Sequence, residues 1–270
     1  MGTEPGSPLQ WWPGADALGA AIAITTRWGG TSEGPYGSLN LGLHVGDDSE
    51  RVVGNRRTAA RSFGVALEDC VFAEQVHGAT VTRVAMADAG RGAVADRGVD
   101  RGAVAASDAL VTTEGGLTLV IMVADCVPVA LVDPVAGILA VVHAGWRGTA
   151  AGVAGQAVRS MIELGAQPEQ ISAYIGPAVA PERYQVDRTV FDGLTNAVAP
   201  EPLAAAAARP DGPDHWRVDL PAANRQQLQL AGVLEDHITD SGATTSDDDY
   251  FSDRAARPCG RFALLARLLD

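Results

Sequence analysis

The residues of this chain that could do chemistry gather at Ala124-Asp125-Cys126 and, seventeen residues beyond the cysteine, at His143-Ala144-Gly145-Trp146-Arg147-Gly148. The thiol and the imidazole each follow an apolar run, and a glycine-bracketed arginine then opens a stretch of helical spacing. A further imidazole stands in Gln75-Val76-His77-Gly78. His77, Cys126 and His143 could give two imidazoles and a thiolate to one zinc ion, leaving the fourth tetrahedral position for water or substrate as catalytic zinc requires. Alternatively, Cys126 is a nucleophile and His143 its base, acting on an amide. A third possibility is a structural zinc fold serving as a binding module. The spacings of 49 and 17 residues form no local zinc motif, so the fold itself must bring the ligands together.

Copper also takes two histidines and a cysteine, usually with a distant axial methionine. Met122 would stand ~13 Å from Cys126 along an extended strand and is badly placed for that role. Five histidines without a His-x-His pair are too few for a multicopper oxidase. Zinc is therefore the expected metal, with copper behind it. Gly145 to Thr149 lies between a strand and a helix, where free backbone N–H groups favour an anion and Arg147 could add a bidentate fork for phosphate or carboxylate. Asp125 and Glu74 are the carboxylates near the ligands that could move a proton or hold a ligand in place. The His-x-Glu and Pro-Cys-x-x-Cys pattern of nucleobase deaminases is absent.

These groups must be positioned by strands and helices that the pattern also predicts. Strands are expected at 18–27, 70–76, 79–85, 108–113, 117–125, 127–132, 138–143 and 171–175. Helices are expected from a Ser49 cap through Phe63, over Thr149–Leu164, around 187–197, and from Asp219 or Pro221 to Ala231. Nearly continuous apolar strands imply a sheet covered on both faces. Residues 88–106, which carry RGAV twice, read as a mobile surface insertion, and 198–214 as an Ala/Pro loop. The whole chain, 1–270, reads as one α+β domain of mixed β-sheets flanked by helices, with 1–17 a flexible N-terminal segment.

Composition bounds the partners. A net charge of −13 disfavours nucleic acid and anionic membrane surfaces. All twenty basic residues are arginine. The longest apolar run, Leu117 to Val132, is broken by Asp125 and Pro128 and is too short to span a bilayer. Three widely spaced cysteines make no disulfide framework, and the first twenty residues lack a secretory pattern, so a reducing cytoplasm is the expected compartment.

In order along the chain stand Ser38-Leu39-Asn40-Leu41, His44 to Asp47, Asn55-Arg56, Gln75-Val76-His77-Gly78, Asp108-Ala109-Leu110, Ala124-Asp125-Cys126, His143 to Gly148, Ile175-Gly176-Pro177, Asp219-Leu220, Asn224-Arg225, Phe251-Ser252 and Gly260-Arg261. This series resembles the bacterial laccase-domain family, also called YfiH-like or multicopper polyphenol oxidase family proteins. The resemblance implies an α+β fold with zinc on His77, Cys126 and His143. It also implies purine nucleoside chemistry: phosphorolysis of adenosine, inosine and S-methyl-5′-thioadenosine, and deamination of adenosine. Purine nucleosides and phosphate are then the expected partners of a monomer, with Cys126, His143 and Asp125 catalytic and Arg147, Asn40 and Gln75 contacting substrate or phosphate. Some members are described instead as peptidoglycan-editing hydrolases, which would use Cys126 and His143. The chain departs from the family pattern at Ala243-Thr244, where a Cys-Thr pair is expected, and at Phe251-Ser252-Asp253-Arg254-Ala255, where a tyrosine and an arginine are missing.

Overall fold

Residues 6–94, 102–197 and 207–269 are described by the computed structural model of the chain. The elements are β1 (Leu9–Trp11), β2 (Ala20–Thr25), α1 (Ser49–Phe63), β3 (Cys70–Phe72), β4 (Val81–Arg83), β5 (Ala109–Thr112), β6 (Thr118–Val123), β7 (Val127–Asp133), β8 (Ile138–Ala144), α2 (Trp146–Ala150) and α3 (Val153–Glu163). They continue as β9 (Ser172–Ile175), β10 (Gln185–Asp187), α4 (Arg188–Ala197), β11 (Ala208–Pro210), β12 (His215–Val218), α5 (Leu220–Leu230), β13 (Ile238–Asp240) and β14 (Phe262–Leu268).

Period-two alternation sorts the strand side chains into layers. In β7 and β8, Val129, Leu131, Ala140 and Val142 face α3 and α5, whereas Ala130, Val132, Leu139 and Val141 face the second sheet. There they meet Ile22, Ile24, Leu119, Ile121 and Leu264. The opposite face of that second sheet, with Ala23, Val120 and Leu265, packs on Ala59, Ala60 and Phe63 of α1. The order is therefore helices, sheet, sheet, helix. Every residue of β7 and β8 is buried, as their unbroken apolar runs required.

The first sheet runs β13-β9-β7-β8-β5-β4 and the second β1-β2-β14-β6-β3. Parallel pairs occur at β13–β9, β4–β5 and β3–β6 and the other pairs of these sheets are antiparallel, so both are mixed. A small antiparallel sheet, β10-β12-β11, lies apart from them. The α+β class with mixed sheets and flanking helices holds.

Several local expectations are corrected. Residues 1–5 lie outside the described residues, but the rest of the supposed flexible segment 1–17 is tied down. Its β1 pairs with β2, Trp12 is buried, and Trp11 stacks on Phe63 at 5.2 Å. Asp48 rather than Ser49 caps α1, its carboxylate accepting from the N–H groups of Glu50 and Arg51 at 2.9 and 3.0 Å. The single helix expected over Thr149–Leu164 is two, because Gly152 takes φ +77° between α2 and α3. Residues 95–101 are outside the described residues, yet the flanks of the supposed mobile insertion are anchored. Arg56 donates to the carbonyls of Gly92 and Ala93, and Val104 bridges to Ala73. Of the 198–214 loop, 198–206 are likewise outside the described residues, and 208–210 form β11.

Among the strands that sequence patterning passed over, β14 is the one at the centre of the second sheet, between β2 and β6. Leu264 pairs with Ile24 on one side and Ile121 on the other and is fully buried. Leu264→Ala is expected to cost about 2–5 kcal/mol, read as a lower denaturant midpoint at an unchanged slope.

Candidate functional site

The sheets meet the site at one end. The β6 strand of one sheet hands the chain to β7 of the other through Ala124, Asp125 and Cys126. His143 lies beside this turn near the end of β8, opposite Pro128 of β7. Asp108 immediately precedes β5, and its carbonyl accepts from the His143 N–H at 2.7 Å. The loop between β3 and β4 supplies His77. Two non-glycine residues here hold left-handed backbone, His77 at φ +61° and Asp125 at φ +84°, a conformation kept only where surroundings enforce it.

Asp108 enforces the first. Its side chain is fully buried and accepts from the N–H groups of His77 at 2.9 Å, Gly78 at 2.6 Å and Val76 at 3.3 Å. It also meets Nδ1 of His143 at 2.8 Å. Burial works against its charge, but the hydrogen bonds from His143, Gly78 and His77 prevail and hold the carboxyl below its usual range. With Nδ1 engaged, His143 presents Nε2 to the site, the arrangement by which a carboxylate orients a metal-ligating imidazole. The sequence marks Asp108 only as a carboxylate at the mouth of a buried strand, which does not reveal this role.

His77, Cys126 and His143 come together as expected. Their ligand atoms all lie within 4.8 Å of one another, and the two imidazole rings meet edge to face with centroids 4.8 Å apart. His77 is exposed, Cys126 half-buried and His143 buried. Burial opposes the Cys126 thiolate, yet the charge of His143 and the hydrogen bonds from His143 and His77 prevail and hold the thiol down to about 6. His143 is raised, burial again opposing and the Cys126 and Asp108 charges prevailing. A ready thiolate, a tautomer-locked imidazole and an open imidazole fit a metal ion. Small side-chain adjustments would bring all three onto one ion, whose bonds to nitrogen and sulfur run about 2.0–2.3 Å. Gly145 makes the approach possible, since a Cβ there would stand 2.9 Å from Cys126 Sγ and 3.0 Å from His77 Cδ2.

Asp125 has both carboxylate oxygens engaged. Oδ1 accepts from Thr245 Oγ1 at 2.5 Å and Ser252 Oγ at 2.7 Å, and Oδ2 from the Arg254 N–H at 2.6 Å. This anchors the segment 245–254 to the turn that carries Cys126. Asn40 is redirected. It is fully buried, its Oδ1 accepting from the N–H groups of Gly42 and Arg261 and its Nδ2 donating to Asp47, so it shapes loops rather than touching substrate. Gln75 lines the cavity, but its amide exchanges two hydrogen bonds with the Met122 backbone, at 2.6 and 2.8 Å, and so stiffens the wall.

The cluster opens into a cavity of about 970 Å³ whose lining includes Arg56, Arg147, Arg254, Arg257 and Arg261. Phe72, Trp146, Tyr184 and Leu220 add apolar surface, and Glu74 lies on the wall. Arg147 is exposed, with its guanidinium 4.4 Å from the centroid of the Trp146 ring. The helix it opens, α2, is only five residues long. Ala243 packs at the edge of the core, and Asp253 pairs with Arg257 and Arg261.

Asp108→Asn removes the charge that orients His143 and is expected to lower affinity for a divalent metal by about 10–100-fold, measured by competition with a chromogenic chelator, with circular dichroism checking the fold. In the metal-stripped protein the depressed Cys126 value keeps its thiolate down to mildly acid pH. Iodoacetamide labelling should therefore rise through a midpoint near 6 and stay confined to Cys126, because Cys70 and Cys259 are buried. A midpoint near the ordinary thiol value would show that His143 does not stabilise the thiolate.

The family model described as multi-copper polyphenol oxidoreductase laccase matches residues 21–268. The purine nucleoside phosphorylase YlmD of Geobacillus stearothermophilus is 44% identical over 246 residues, 88% of this chain and 86% of the relative. Its crystal structure superposes with a TM-score of 0.91 at 39% identity over 99% of this chain and 98% of its own. The purine nucleoside phosphorylase SCO2081 of Streptomyces coelicolor is 44% identical over 91% of this chain and 94% of its own length. The Bacillus licheniformis protein YfiH, also known as a crystal structure, gives a TM-score of 0.91 at 34% identity over 98% of each chain. By the family model that spans most of its length, the identity to these relatives and the shared fold, this chain belongs to the laccase-domain, YfiH-like family.

Proposed function

We propose that the chain is a zinc-dependent purine nucleoside enzyme. It cleaves adenosine, inosine and S-methyl-5′-thioadenosine with phosphate to free base and ribose or methylthioribose 1-phosphate, and it also deaminates adenosine. The observation that carries this reading is a three-ligand cluster that opens directly into an arginine-lined cavity. Two relatives named as purine nucleoside phosphorylases support it. Zinc suits the two-imidazole, one-thiolate set better than copper, and when bound it supplies a Lewis acid with an open position.

The remaining work falls to side chains. Phe72, Tyr184 and Leu220 offer a dry surface for a purine, and Arg147 offers a fork for phosphate oxygens. Phosphorolysis requires a phosphate oxygen to bond C1′ of the ribose as the bond to the base nitrogen breaks, so holding phosphate in line is the main contribution asked of the cavity. The departing base needs a proton. Glu74 is suited to carry it, because its Oε2 accepts from the Ala106 N–H at 3.1 Å and no protein hydrogen bond among the described residues reaches Oε1. A cytoplasmic monomer suffices for this chemistry.

One observation favours a second reading. Asp108, His143 and Cys126 stand as carboxylate, imidazole and thiolate in the order of a cysteine hydrolase. Such a site would cleave an amide of a peptidoglycan precursor.

Incubation with adenosine, with and without phosphate, separates the possibilities. Adenine and ribose 1-phosphate are expected only with phosphate, and inosine without it. Both activities should disappear on exhaustive chelation and in His77→Ala, Cys126→Ala and His143→Ala, together with stoichiometric zinc. Metal-free protein that stays active and traps an acyl group on Cys126 would establish the hydrolase instead.

A further inference from the structure

The five cavity arginines are not equivalent, and their partners separate them. Arg56 is buried and spends its guanidinium on the carbonyls of Leu41, Gly92 and Ala93 and on the Phe72 ring, 4.2 Å away. Asp253 takes Arg257 at 2.5 Å and Arg261 at 3.6 Å, and Arg261 also donates to the carbonyls of Cys259 and Gly260. Two remain. Neither Arg147 nor Arg254 pairs with a carboxylate among the described residues. Each instead lies over an aromatic ring, Arg147 on Trp146 at 4.4 Å and Arg254 on Tyr184 at 5.1 Å. Both also interact electrostatically with the Tyr184 hydroxyl, as do Cys126 and Asp125, so they belong to the same corner of the cavity as the metal ligands.

An arginine stacked on a ring keeps its in-plane N–H donors free for a planar or tetrahedral oxyanion. Two such forks in one cavity can share the oxygens of one phosphate. The second is also fixed at its root: the Arg254 N–H donates to Asp125 Oδ2, while Ser252 and Thr245 donate to Oδ1. Asp125 thus sets the position of Arg254 from within the turn that carries Cys126.

We infer that Arg254 and Arg147 form a two-arginine clamp for inorganic phosphate, that Asp125 is the positioning residue that holds Arg254 in it, and that Asp253 limits the clamp to two free guanidinium groups by neutralising Arg257 and Arg261. The clamp rests on the phosphorolytic reading for its part in turnover, but binding of phosphate tests it separately. Of the arginines in the segment 252–261, Arg254 is the one without a carboxylate partner among the described residues.

The test is calorimetric titration of the full-length protein, as purified, with inorganic phosphate, alongside steady-state kinetics with adenosine at varied phosphate. Arg254 is exposed, so its replacement leaves the core untouched. Losing a charge-assisted fork is expected to weaken phosphate binding by about tenfold or more in Arg254→Ala and in Arg147→Ala. Arg254→Lys should recover part of the loss. Asp125→Asn should raise the KM for phosphate by a larger factor than it lowers kcat. Asp253→Asn should tighten phosphate binding by releasing Arg257 and Arg261; unchanged or weaker binding overturns the part assigned to Asp253. Wild-type protein that binds no phosphate, or Arg254→Ala that binds it as wild type does, overturns the clamp. If phosphate binds through Arg254 but no nucleoside is turned over, the phosphorolytic reading falls and the clamp stands. If adenosine is cleaved with an unchanged phosphate KM in Arg254→Ala, the reverse holds.

Discussion

The site depends on one buried carboxylate. Asp108 is fully enclosed, and a charge so placed is tolerated only when hydrogen bonds replace its lost hydration. The His143 ring and three successive backbone N–H groups, from Val76 to Gly78, do so. Because one side chain serves all of them, it locks the loop between β3 and β4 to the end of β8. It also imposes the left-handed backbone at His77 and selects the His143 tautomer. Removing the carboxylate would leave those donors buried and unpaired, at a cost per group larger than the net gain of forming an ordinary hydrogen bond. Fold stability and ligand geometry therefore share a single interaction.

Asp125 repeats the design on the other side of the cluster. It sits where the chain passes from one sheet to the other, and its carboxylate gathers Thr245, Ser252 and Arg254 from a segment more than a hundred residues away. The turn that carries Cys126 and the arginine segment are thereby tied to each other. Glycine keeps this corner open: at Gly145 the backbone passes so close to Cys126 Sγ and His77 Cδ2 that any side chain would displace a ligand.

Much of this was legible beforehand, and the limits have physical causes. Apolar runs revealed β7 and β8 because a strand buried on both faces needs nothing else. His77, Cys126 and His143 were recognisable because histidine and cysteine are scarce here and flank strand ends. The strand β14 escaped because Phe262–Leu268 is built from Ala and Leu rather than β-branched residues, and a short apolar run of that composition does not tell strand from helix. The motifs that hold Asn40, Gln75 and Asp125 mark their place near the site, but the backbone and side-chain partners these residues take are not encoded in local spacing. The role of Asp108 was invisible for the same reason, since three of its partners lie some thirty residues upstream and the fourth thirty-five downstream.

The charge arrangement of the cavity follows from these commitments. A protein of net charge −13 would repel phosphate over most of its surface. Inside the cavity the balance reverses, because Arg147 and Arg254 carry no carboxylate partner among the described residues, while two nearby carboxylates are occupied, Asp125 by neutral donors and Asp253 by other arginines. Burial has pulled the Arg56 guanidinium down to about 9, but it is still cationic at neutral pH and adds to the same potential from within the wall. Two imidazoles and one thiolate around a divalent ion would leave a further positive charge at the floor of the cavity. An anion is therefore drawn to a region where local field and free donors coincide, while the aromatic and aliphatic lining beside it remains available to an uncharged ring.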